Sequence, residues 1–159
     1  MLTIAGIAVP GLLRSRAAAS AASTVASMRA VQTAQTAYSI MYAASGYAND
    51  IVKLGPPKGA NPVTPDRAGL LDWLSDCTSQ PCAKSGYNFA IEDAVGVPVI
   101  AYTLTAAPNS GGGSAIRSYC MNQDGVMAYD PAGGGKCGER LQHAPLNTDE
   151  SSQNKPNSN

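Results

Sequence analysis

From Ser15 to Ser45 the chain carries neither glycine nor proline and is dominated by alanine, the strongest helix former. Ahead of that stretch, Met1–Leu13 reads M-L-T-I-A-G-I-A-V-P-G-L-L and bears no charged side chain. Read together they describe a helix of about 40 residues, roughly 60 Å long at 1.5 Å per residue. The remaining chain, about 115 residues, folds into a body only some 30 Å across. Half of the helix therefore has to find another environment, either a bilayer or further copies of itself. Thirteen helical residues span about 20 Å, short of a hydrocarbon core near 30 Å. A signal peptide would open on a basic stretch and end at a small-residue cleavage site. Here the apolar run starts at once and meets Arg14-Ser15-Arg16.

The helical stretch has two faces. Val25, Met28, Val31, Gln35, Tyr38 and Tyr42 recur at steps of three and four, with Ala18, Ala21 and Ala22 leading in. Val25, Met28, Val31, Tyr38 and Tyr42 are the expected contacts with a sheet. Ser20, Thr24, Ser27 and Thr36 are read as the opposite, solvated face. Gly46 is placed to stop the helix, and Pro10, flanked by Gly6 and Gly11, to kink it.

Composition limits the rest. Leu, Ile, Val and Phe make up about 17% of the 159 residues, while the chain holds 16 Gly and 11 Pro. That describes a thin core with much turn and loop. Net charge is zero with 14% charged residues, so no electrostatic footprint for nucleic acid exists. Four cysteines, Cys77, Cys82, Cys120 and Cys137, lack the two close pairs that structural zinc favours. A disulfide framework in an oxidising compartment fits them, and four cysteines allow three pairings. Nearest neighbours are the preferred pairs, Cys77 with Cys82 and Cys120 with Cys137.

Beyond the helix, residues 55–65 form a loop rich in proline and glycine. Asp66–Ser75 predicts a short helix capped by Asp66, with Leu70, Leu71, Trp73 and Leu74 inward and Trp73 anchoring the core. Strands are expected at Tyr87–Ile91, Val97–Thr105, Ile116–Asn122 and Val126–Tyr129, the last two joined by a two-residue Asp124-Gly125 turn. The expected architecture is α+β: a long N-terminal helix packed on a three- to four-stranded antiparallel sheet. Residues 1–45 form the helix, 1–13 its membrane or filament-core part and 14–45 its amphipathic part. Residues 46–145 form a globular head, and 146–159 a polar, disordered tail.

No catalytic signature stands in the chain. H-E-x-x-H, G-x-S-x-G and Walker A patterns are absent, and the glycine runs at 111–113 and 133–135 lack the Lys-Ser/Thr that follows a phosphate cradle. An enzyme is not expected, and neither is a cofactor. Calcium is the one ion to weigh, over Asn122-Gln123-Asp124-Gly125 with Glu139 as the distal carboxylate, against a plain hairpin turn.

Ile7-Ala8-Val9-Pro10, Leu12-Leu13-Arg14-Ser15-Arg16, the Ala/Ser-rich helix and Val31-Gln32-Thr33-Ala34-Gln35-Thr36-Ala37-Tyr38, closed by Gly46-Tyr47-Ala48, resemble the type IV pilins and type II secretion pseudopilins. The resemblance covers Ile4–Tyr47 most specifically. The order Gly-Tyr-x-Phe, Tyr-x-Leu-x-Ala and Arg-x-Tyr, with Asp-Gly in the next turn, is similar to the sheet of pilin-like proteins. The family's leader peptide, the Glu near the start of its apolar helix and about half of that apolar stretch have no counterpart here. The resemblance implies a structural subunit of a helical filament, held in the inner membrane by a single pass with a periplasmic head before assembly. It then becomes part of a periplasmic pseudopilus or a cell-surface pilus. Implied partners are identical copies, other pilins or pseudopilins and the assembly machinery, and the family carries N-terminal methylation. Ile4, Ile7, Pro10, Leu12 and Leu13 then pack at the filament axis, and the loop at 55–65 faces outward. The reading from a different class is a secreted or membrane-tethered monomeric module that binds at a surface.

Overall fold

The computed structural model describes residues 8–109, 117–131, 133 and 142–143. The chain opens with α1, Ala8–Met41, 34 residues long and so about 51 Å end to end. Among the described residues its first hydrogen bonds to the rest of the chain come from Ser20 and Ser23, both to Ser85, the Ser23 pair at 3.0 Å between hydroxyls. Twelve residues precede Ser20 in the helix, which is about 18 Å of rod. Ser15, Arg16, Ala18 and Ala19 are exposed there.

Below Ser20 one side of the helix is sealed. Met28, Val31, Ala34 and Tyr38 are buried, and Val25 and Tyr42 are half-buried against the same core. Thr24 and Ser27 are also buried, contrary to the solvated face the sequence suggests for them. The reason is angular. At 100° per residue, Thr24 lies one turn above Met28 and Ser27 one turn above Val31, inside the same arc. The Thr24 hydroxyl donates to the Ser20 carbonyl at 2.8 Å, so its burial leaves no polar atom stranded. Ala18 and Ala22 fall outside that arc and are exposed.

The regular helix ends at Met41. The Ser45 and Gly46 amides both return to the Tyr42 carbonyl, at 2.8 and 3.2 Å, and Gly46 turns left-handed at φ 71°. At that point Val99 closes on the chain from the sheet, its N–H donating to the Ser45 carbonyl at 2.9 Å and its carbonyl accepting from Tyr47 at 3.0 Å. Next comes a 3₁₀ turn, Ile51–Leu54, capped by Asp50, whose Oδ1 accepts from the Val52 amide at 2.8 Å. Ile51, Val52 and Leu54 are all buried.

The helix expected at 66–75 is replaced by an extended turn and a short 3₁₀ segment, Asp72–Leu74. Gly69 is left-handed at φ 70°, which breaks a helix there. The amides of Ala68, Gly69, Leu70 and Leu71 donate to carbonyls of Lys53, Leu54 and Gly55 at 2.8–2.9 Å instead of to their own turn. Asp66 is exposed and caps nothing; its contact is Lys53 at 4.0 Å. Leu74 is the buried anchor of this segment. Trp73 is half-buried at the rim, edge-on to Phe89 at 5.4 Å with the Lys84 ammonium 4.8 Å over its ring.

Among the described residues six strands follow as one antiparallel meander in chain order: β1 Cys82–Lys84, β2 Tyr87–Val95, β3 Ala101–Pro108, β4 Ser118–Asn122, β5 Met127–Asp130 and β6 Gln142–His143. The α+β class holds, with two more strands than the pattern suggests. β1 has three residues, set opposite β2 with Cys82 facing Phe89, beside the Cys77–Cys82 disulfide. β6 has two, opposite β5, too few for any period to register. The four longer strands lie close to their expected places, except that Val97–Ile100 is turn, not strand. Val97 is fully exposed, and the Ile100 amide closes the turn on the Val95 carbonyl at 2.9 Å.

Register builds the inner face in rows. Ile91, Leu104, Met121 and Met127 stand side by side across β2 to β5, and Phe89, Ala106, Tyr119 and Tyr129 form the next row. Members of both rows pack in one cluster with Met28, Val31 and Tyr38 of α1. Alternation sends Ala90, Thr105 and Cys120 to the other face, where they are buried as well. The turn between β4 and β5 uses three residues, not two. Gln123 and Asp124 occupy its centre and Gly125 follows at φ 77°, its amide donating to the Asn122 carbonyl at 3.0 Å. This is the three-residue hairpin with glycine in the left-handed position. A side chain on Gly125 would run into Gln32 of α1.

Candidate assembly interface

Two features of the sequence converge on the seam between α1 and the sheet. The first is Gln35, fully buried in the middle of the apolar stripe. Its Nε2 donates to the Ala48 carbonyl at 2.9 Å, and its Oε1 accepts from the Ala48 amide at 2.8 Å. One side-chain amide thereby satisfies both polar groups of one buried residue and ties the helix to the segment that follows it. Gln80 works in the same way on the other side. Its Oε1 accepts from the Ile51 and Ile91 amides at 3.3 and 3.1 Å, and its Nε2 donates to the Ile91 carbonyl at 2.9 Å. The second feature is a set of tyrosines around the core. Burial, then the neighbouring Tyr47 ring 5.1 Å away, pushes the Tyr102 phenol up to about 12. Burial and then Tyr119 do the same to Tyr87, also to about 12. Tyr38 is raised by burial and then by Asp66, and its hydroxyl donates to the Pro65 carbonyl at 2.7 Å.

Val25, Met28, Val31, Tyr38 and Tyr42 are thus gathered at this seam. Pro10, Leu12 and Leu13 belong to the N-terminal turns of α1, and their side chains, together with residues Ile4 and Ile7, lie outside the described residues. Cys77 and Cys82 are joined, with Cα atoms 5.6 Å apart. Cys120 is disulfide-bonded as well, and Cys137 lies outside the described residues, as do Glu139 and the tail 146–159. In the Asn122–Gly125 turn the oxygens weighed for calcium serve the turn itself. Asn122 Oδ1 accepts from the Val126 amide at 3.0 Å, and Asp124 Oδ2 accepts from the side-chain amides of Asn122 and Gln123 at 3.2 Å. Among the described residues no three His, Cys, Asp or Glu side chains gather as metal ligands, and no helix is long and apolar enough to cross a membrane.

Sequence reasoning missed one surface. Among the described residues seven large hydrophobic side chains are exposed, and five of them, Ile40, Met41, Val95, Val97 and Ile100, belong to two segments that meet at the C-terminal end of α1. The Gly46–Val99 contact brings those segments together. Periodicity along one segment could not reveal it, because the adjacency is tertiary. Comparison with family models, with curated proteins and with solved structures finds no match to this chain.

Proposed function

We propose that the chain is a structural subunit of a type IV pilus or type II secretion pseudopilus filament. The observation that supports it most is the start of α1 ahead of Ser20, about 18 Å of helix on which Ser15, Arg16, Ala18 and Ala19 are exposed. An uncharged stretch continues from it to the N-terminus. Before assembly this end lies in the inner membrane, where a helix satisfies its own backbone, and the head sits in the periplasm. On assembly the same surface exchanges lipid for neighbouring helices of similar apolarity, so extraction carries no prohibitive cost. A head-to-tail contact that does not close on itself then propagates as an open helix of subunits.

Disulfide trapping tests the proposal. Ala18 is exposed and remote from the head's own contacts, so Ala18→Cys leaves the fold intact. In cells making the chain from its own locus, mild oxidation is expected to produce A18C dimers across adjacent helices in filament-sized material. A chain recovered only as a monomer, with filaments absent, overturns the proposal and favours the tethered binding module.

A further inference from the structure

We infer that the outer face of the sheet is the seat of the chain's own β5–β6 connection, residues 131–141, fastened there by a disulfide between Cys120 and Cys137. The inference stands apart from the filament reading.

The bond follows from counting. The chain holds four cysteines. Cys77 and Cys82 are joined to each other, and Cys120 is disulfide-bonded, which leaves Cys137 as its partner within the chain. Cys120 lies between Tyr119 and Met121 on β4, and both of those belong to the core cluster shared with α1. Alternation turns Cys120 the other way, so the bond is made on the face away from the helix.

Burial on that face is the second observation. Register sets Ala90, Thr105, Cys120 and Ala128 side by side across β2 to β5. Ala90, Thr105 and Cys120 are 9%, 5% and 5% exposed, yet neither Ala90 nor Cys120 belongs to the core cluster. An antiparallel sheet with a helix on one face ordinarily leaves the other in water. Side chains this short do not shield one another, so further chain rests on them.

Reach selects residues 131–141. β5 ends at Asp130 and β6 returns beside it from Gln142, with Ala128 opposite both Cys120 and His143. β4 and β6 thus stand two strand spacings apart, about 10 Å. From Cys137 to Gln142 the extended chain reaches about 16 Å, and a disulfide holds its Cα atoms about 4–7 Å apart. The connection meets Cys120 by folding back across β5. Gly133-Gly134-Gly135 and Gly138 suit a backbone that lies directly on a row of small side chains. In forming the bond the two thiols give up two protons and two electrons to a disulfide oxidant, which leaves as two thiols, so the fastening belongs to an oxidising compartment.

Measurements on the oxidised chain test it. Peptide mapping without reductant is expected to recover Cys120 linked to Cys137 within one chain. Cys137 found free, or linked to another chain, overturns the bond. Proton NMR is expected to show nuclear Overhauser contacts from the Ala90 and Thr105 methyls to residues 131–141. Contacts to residues 110–116 or to the tail 146–159 instead, or none at all, overturn the seat even where the bond is found. Thr105→Arg sets a bulky cation under the segment. It should speed reduction of the Cys120 disulfide by dithiothreitol about tenfold through easier access, with Cys77–Cys82 unchanged as the internal reference. Equal rates in parent and variant overturn the seat as well. Should T105R fail to fold, the methyl contacts of the parent decide.

Discussion

Replacing Gln35 by leucine keeps the volume of a fully buried side chain and removes two hydrogen bonds at once. Both partners, the Ala48 amide and carbonyl, are buried; the amide loses its acceptor and the carbonyl its donor. An unsatisfied buried backbone group costs about 1–3 kcal/mol, and the added apolar contact offsets part of that. A net loss of about 2–4 kcal/mol is expected, a large share of the 5–15 kcal/mol typical of a domain. With a urea m-value near 2 kcal/mol/M, the midpoint should fall by about 1–2 M. Gln35→Glu sharpens the test. A neutral carboxyl can donate to the Ala48 carbonyl and accept from its amide, whereas a carboxylate can only accept. The introduced group therefore titrates above its unfolded value of about 4.3 in the folded state. The native state then holds the extra proton above pH 4.3, so stability is retained below that pH and lost as pH rises. Equilibrium unfolding of the three proteins at pH 4 and pH 7 measures it. A Gln35→Leu midpoint within 0.3 M (~) of the parent, or a Gln35→Glu variant with the parent's pH profile, would refute the clamp.

Other consequences follow from the same packing. Breaking Cys77–Cys82 with a serine pair should cost about 2 kcal/mol, the loop-closure entropy of so short a ring, read by thermal unfolding with and without reductant. Gly46→Ala should destabilise by more than about 1 kcal/mol, because the residue sits at φ 71° and an added Cβ would lie 2.7 Å from the Val99 amide nitrogen; the loss should be accompanied by faster hydrogen exchange at Val99. Tyr87 and Tyr102 ionise at about 12 folded against 10 unfolded, so the native state binds more protons between those values and stability falls as pH rises from 10 to 12. Tyr102→Phe should flatten that slope in denaturant titrations.

Much of this fold could be read in the chain because its long elements are regular. The alanine-rich stretch set the helix, alternation in Tyr87–Ile91 marked β2, and Ile116–Asn122 followed by the Asp124-Gly125 turn signal marked β4. What escaped is short or tertiary in origin. Ile51–Leu54 makes a single turn, too brief for a period, and only its Asp50 cap hints at it. Asp66–Ser75 has helical spacing, yet its amides find carbonyls of the 51–55 segment and Gly69 takes the left-handed region. β1 exists by pairing with β2 beside the disulfide. Thr24 and Ser27 look like surface residues by type and are interior by angle. The exposed Val95, Val97 and Ile100 come near the end of α1 only because Val99 meets Gly46, a tertiary contact that no local pattern records.

The central claim is that the helix left over from its own seam packs among helices of identical copies. Cryo-electron microscopy of filaments released from cells producing this chain tests it most directly. The account predicts this chain's head repeated around a central bundle whose helices lie 8–10 Å (~) apart, with the α1 segment before Ser20 inside the bundle. Filaments that lack the chain, or heads whose N-terminal helix folds back on its own sheet, would contradict it.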